Sequence, residues 1–98
     1  MQIWRAMERV AEHHEVSVEQ VRDALCEAMR HGAAAMWGAG AYDASAPSGW
    51  LQLTRDGEEL DPQAFDRAAI AVVRNQLREG LQALRERRDA DAIAASDL

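Results

Sequence analysis

Residues 10–31 read V-A-E-H-H-E-V-S-V-E-Q-V-R-D-A-L-C-E-A-M-R-H. The stretch divides into two amphipathic halves joined by about three residues, the arrangement of a helix-turn-helix that presents its second helix to a partner. Ser17-Val18-Glu19-Gln20 fits a capping box, in which the Ser17 hydroxyl takes an orphan amide and Gln20 reaches back. Val16 and Val21 are placed to close a hydrophobic staple across that cap. Glu15-Val16 breaks the helical pattern just before it.

Outward from the cap, both helices carry one apolar stripe. On the first, Ile3, Met7, Val10, Ala11 and His14 share a side, with Arg5, Glu8, Arg9 and Glu12 opposite. On the second, Val18, Val21, Ala24, Leu25, Ala28 and Met29 form the stripe predicted to be buried. Opposite run Glu19, Asp23 and Glu27, with Gln20, Arg30 and His31 beside them. The helix dipole accounts for an acid as close to the N-terminus as Glu19, but not for Asp23 or Glu27.

The pattern V-A-x-x-[aromatic]-x-V-S-V-x-x-V-x-x-A-L-x-x-A-M over residues 10–29 resembles the helix-turn-helix of the C-terminal effector domain of the sporulation-initiation response regulator. It also resembles small stand-alone bacterial relatives of that domain. His14 stands where the pattern has an aromatic. The resemblance implies a second helix that enters the major groove with polar and basic side chains. Here the outward positions hold Glu19, Gln20, Arg22, Asp23, Cys26 and Glu27, of which only Gln20 and Arg22 have groove-reading character.

Beyond His31, Gly32 is a weak helix stop, and the second helix ends there or runs on through Met36-Trp37 to Gly38 or Gly40. Residues 38–49, rich in Gly, Ala, Ser and Pro, read as a loop. Trp50-Leu51-Gln52-Leu53 alternates and Asp56-Gly57 signals a turn, so a hairpin competes with a pinned loop. The loop is favoured, because one hairpin alone is marginal. Trp4, Trp37 and Trp50 are expected in the core or as lids over it, with an exposed hot spot as the alternative. Asp61-Pro62 opens a long helix whose stripe runs through Phe65, Ala69, Val72, Val73, Gln76, Leu77, Leu81 and Leu84. Phe65 to Val73 is expected to pack on the helix-turn-helix, leaving Leu77, Leu81 and Leu84 to meet a second copy.

The expected fold is therefore all-α: a helix-turn-helix over about residues 3–37, a Gly/Ala/Ser loop and a long helix over about 62–88. It forms a single domain over residues 1–84, with the helix-turn-helix core at 3–31. Residues 85–98 are read as a charged tail that frays.

Composition narrows the function. The 98 residues contain 11 arginines, no lysine and 17 acids, for a net charge of −6. Long-range attraction to phosphate is thus denied to the chain as a whole. No apolar run approaches the roughly 18 residues of a membrane span, and the N-terminus does not read as a secretory signal. The lone Cys26 has no internal partner, so a reducing cytoplasm is expected. No zinc-type spacing occurs: His13 and His14 point about 100 degrees apart, and Cys26 and His31 do not share a helical face. No nucleophile stands at recognisable spacing from a base, so the expectation is a protein without catalytic residues, metal or cofactor.

Two functions compete. In the leading one, Glu19, Gln20, Asp23, Glu27 and Arg30 dock onto a basic surface of a protein partner. An inhibitor that mimics the charge of DNA against a nucleic-acid-binding machine is one form of this. In the other, a dimeric transcription regulator reads DNA with Gln20, Arg22 and Arg30, helped by Arg5 and Arg9, while Arg85, Arg87 and Arg88 contact phosphates.

Overall fold

The computed structural model describes residues 2–96. Two helices open the fold, α1 (Trp4–His14) and α2 (Val18–Trp37). Three strands follow, β1 (Tyr42–Ser45), β2 (Gln52–Arg55) and β3 (Glu58–Leu60), then a 3₁₀ turn (Pro62–Ala64) and α3 (Arg67–Ser96). The architecture is mixed rather than all-α, because an antiparallel sheet of order β1-β2-β3 replaces the expected loop.

The turn between α1 and α2 is built from local chemistry. The Val16 amide donates to the Ala11 carbonyl at 3.0 Å and the Glu15 amide to Glu12 at 3.3 Å, the pairing of a Schellman motif. Glu15 takes the left-handed position at φ 55°, where a side chain other than glycine is strained. One residue on, the capping box forms as read. The Gln20 amide donates to Ser17 Oγ at 3.1 Å, and the Ser17 amide to Gln20 Oε1 at 3.0 Å.

Helix α2 is packed on two sides. Along one, α3 runs antiparallel to it, with Gly80 beside Ala24 and Val73 beside Gly32. The approach is close. A Cβ at Gly32 would lie 2.5 Å from Val73 Cγ2 and 3.2 Å from the Ala69 carbonyl oxygen. Ala28 and Ala69 are buried nearby. On its other side, Met29 and Ala33 meet Leu51 and Leu53, and Leu53 is completely buried. Burial of that side chain contributes about 2 kcal/mol.

The antiparallel path of α3 also settles the leucines assigned to a dimer. Leu81 is buried with Met7, Ala11 and Val21, and Leu77 and Leu84 pack against the same cluster. The expected free stripe is consumed inside the protomer, because the later half of α3 returns over α1 and the start of α2 instead of running past them. The start of this helix is shifted too. Asp61 caps only the 3₁₀ turn, through Gln63 N at 2.9 Å. Asp66 caps α3 itself, accepting from Ala69 N at 2.8 Å. The helix then continues to Ser96 rather than ending near residue 88. Residues 97 and 98 of the expected tail lie outside the described residues.

The sheet forms because the β2–β3 hairpin is not alone. Asp56 and Gly57 both have positive φ, as a two-residue type I′ turn requires. β1 then adds a third strand, pairing Tyr42 with Arg55 and Ser45 with Gln52. Arg55 holds the approach to β1, donating to the Ala39 carbonyl at 2.6 Å and lying over the Tyr42 ring. The tryptophans divide. Trp37 packs edge-on against Phe65, whereas Trp4 (37% exposed) and Trp50 (54%) lie on the surface instead of in the core. Trp50 pairs with Gln2 in an isolated edge bridge near Trp4, where the Ile3 amide also donates to the Gly49 carbonyl at 2.7 Å.

Candidate functional site

Between α3 on one side and the sheet on the other, α2 keeps one strip open to solvent. That strip carries Glu19, Gln20, Asp23 and Glu27, all exposed, with half-buried Arg30. The five residues assigned to partner docking are thus brought together on one helix surface.

Their electrostatics are mixed. Asp23 lies 3.3 Å from Arg22 Nε. Glu27 bonds both Arg30, three residues on, and His31 Nε2 at 3.1 Å. The Arg30 hydrogen bond, ahead of the opposing effect of burial, holds the Glu27 carboxyl below the usual carboxylate range. Local cations offset part of the strip's charge. Glu19 makes no ion pair among the described residues.

The residues assigned to DNA reading are not assembled in the same way. Gln20 spends its side-chain oxygen on the Ser17 amide. Arg30 is engaged by Glu27, and half-buried Arg22 lines a groove of about 370 Å³ between α2 and the β1 end, with Cys26 and Pro47. Arg5 and Arg9 are exposed on α1. Arg5 borders a groove of about 660 Å³, beside Trp4 and Pro47. Arg88, assigned to phosphate, instead donates to the His14 carbonyl at 2.7 Å and caps the end of α1.

Reactive groups are unremarkable in placement. Burial and the nearby Asp23 carboxylate push the Cys26 thiol up, which keeps it protonated and a poor nucleophile. No cluster of three His, Cys, Asp or Glu side chains suited to a metal occurs among the described residues. No helix among them is long and apolar enough to cross a membrane.

One charged surface escaped the sequence reading. Arg67, Arg74, Arg78 and Arg85 are all exposed on α3. Their spacing of seven, four and seven residues is the signal in the sequence, and it overlaps the apolar stripe of the same helix.

Comparison with protein-family models, curated proteins and solved structures finds no match to this chain. The resemblance to the sporulation-initiation effector domain therefore rests on residues 10–29 alone.

Proposed function

We propose that this chain is a non-enzymatic binding protein whose α2 docks its carboxylate strip onto a basic surface of a protein partner. The observation that carries the proposal is the open position of Glu19, Asp23 and Glu27 on a helix held from two sides. A rigidly held helix loses little conformational freedom on docking, so its charges act from a prepared arrangement. Surface ion pairs such as Asp23–Arg22 and Glu27–Arg30 are individually weak, and a partner's arginines can replace them at small cost. Where that partner surface belongs to a nucleic-acid-binding machine, the strip competes with phosphate for the same side chains, and the protein acts as an inhibitor. Reading of DNA by α2 is the weaker alternative, since its three carboxylates would face the phosphates and its Gln20 serves the cap.

The test uses a labelled oligo-arginine peptide and a labelled DNA duplex, titrated against the intact protein at several salt concentrations. Salt-sensitive binding of the peptide is expected, weakened about tenfold or more in the Asp23→Arg/Glu27→Arg double variant. Peptide binding that survives the double reversal would reduce the strip to a solvated face. Duplex binding by the unaltered protein, lost on Arg22→Ala, would favour the regulator instead.

A further inference from the structure

α3 bears a second charged surface, of opposite sign, that the α2 reading leaves unused. Arg67, Arg74, Arg78 and Arg85 fall within a narrow sector of a helix with 3.6 residues per turn. All four are exposed and none makes an ion pair among the described residues. The chain has acids in excess, yet none stands three or four residues from Arg67, Arg74 or Arg78. Asp89, one turn beyond Arg85, is bonded by Arg88.

This arrangement works against the helix that carries it. Arg74 and Arg78 are like charges one turn apart, which repel. Arg67 stands in the first turn, where the helix dipole disfavours a cation. Folding supplies no reason for the stripe.

The surface between the arginines is apolar. Half-buried Leu77 and the rim of buried Leu81 form the floor of a groove of about 290 Å³, with Arg74, Arg78, Gln82 and Arg85 around them and His14 at its end. Ile70, 40% exposed, continues the apolar surface in the adjoining groove toward Arg67. A guanidinium rim over an aliphatic floor complements carboxylates and aliphatic side chains presented together. We propose that this face of α3 docks an acidic amphipathic helix of a partner protein. A helix laid along α3 has the same rise per residue, so carboxylates one turn apart meet Arg74 and Arg78 while its leucines cover Ile70 and the open edge of half-buried Leu77. Each guanidinium can grip a carboxylate through two parallel N–H donors. A phosphate backbone would use the rim and leave the floor uncovered. The net charge of −6 would also repel a long polyanion before contact.

The proposal concerns a different helix from the carboxylate strip and survives or fails apart from it. Anisotropy titrations of the full chain use three labelled probes: a helical peptide with leucines on one face and flanking glutamates, a scrambled peptide of the same composition, and a DNA duplex. The amphipathic peptide is expected to bind at least about tenfold more tightly than the scrambled one. Arg74→Glu/Arg78→Glu should weaken it by about tenfold or more, and Arg67→Glu/Arg85→Glu should do so independently. Ile70→Ser, which leaves every charge in place, should weaken the amphipathic peptide and not the scrambled one. These side chains are exposed, and unchanged circular dichroism verifies that each variant folds. Equal binding of the two peptides, unaltered binding by the arginine variants, tighter binding of the duplex, or no peptide binding overturns the proposal.

Discussion

α2 and α3 lie antiparallel in contact, yet they treat charge in opposite ways. On α2, Asp23 and Glu27 are matched to Arg22, Arg30 and His31 on the same helix. On α3, Arg67, Arg74 and Arg78 have no carboxylate three or four residues away and make no ion pair among the described residues. Asp23 and Glu27 thus exchange one set of ion pairs for another when the strip docks, whereas the arginine face only gains. Sign alone is therefore a poor guide to a partner surface. Whether the protein has already neutralised its own charges is the more discriminating observation.

The contact itself can be broken at Gly32. Gly32→Val places side-chain atoms inside Val73, Phe65 and the Ala69 carbonyl. Urea unfolding should report a loss of about 3 kcal/mol from this overpacking. A loss below about 1 kcal/mol would mean that the helices separate easily and that neither face is rigidly presented.

The next effects concern the two ends of α2's support. Ser17→Ala removes the cap and should cost about 1 kcal/mol by the same measurement. Arg88→Ala removes the donor to the His14 carbonyl, which joins α3 to the α1–α2 turn, and should also cost about 1 kcal/mol. An unaltered Arg88→Ala variant would mean that this hydrogen bond contributes nothing to holding α3 at that turn.

Smaller effects of opposite sign sharpen the comparison most directly. Glu27→Arg breaks its pairs with Arg30 and His31 and should lose about 0.5 kcal/mol. Arg74→Glu relieves repulsion and creates a Glu–Arg pair with Arg78, so it should gain about 0.3 kcal/mol. Equal signs for the two variants, from matched thermal melts, would erase the distinction between the faces.

The smallest effect is a pH dependence at the junction of the helices. His14 is half-buried, with Nδ1 shut from solvent and without a hydrogen-bond partner. Burial first, then His13, Arg85 and Arg88, lowers its pKa below the ordinary 6.5. Below pH 6.5 the unfolded chain therefore binds more protons at this site than the folded one. The stability is present in full above that pH and is lost as pH falls through 6.5 toward the folded value. Tm recorded between neutral and mildly acid pH should decline in this window, and His14→Gln should flatten the decline.

Much of the first half was legible because its signals are short-ranged. The capping box needs only Ser17 and Gln20, and the break at Glu15 needs only the next residue. The open strip of α2 followed from periodicity in the same way. The sheet was not legible, because β1 is Tyr-Asp-Ala-Ser, a poor strand former taken alone, although Tyr42 and Ala44 do alternate inward. A lone β2–β3 hairpin is too small to be stable, and pairing with β1 supplies the third strand it needs. Asp61-Pro62 was good helix-start chemistry spent on a 3₁₀ turn, with Asp66 five residues later doing the capping of α3.

Taken alone, the residue order determined the paired helices, the tight turn between them and, except for Cys26, which it placed outward and which is buried, which face of α2 stays wet. Each depends on groups within a few positions of one another, and those interactions precede any packing. Only the tertiary structure decided that Leu77, Leu81 and Leu84 turn toward the core, that Trp4 and Trp50 face outward, and that four arginines make no ion pair among the described residues. These outcomes depend on the direction in which α3 returns across α2, set by the close crossing at Gly32. A local pattern holds the same residues whichever way that helix runs.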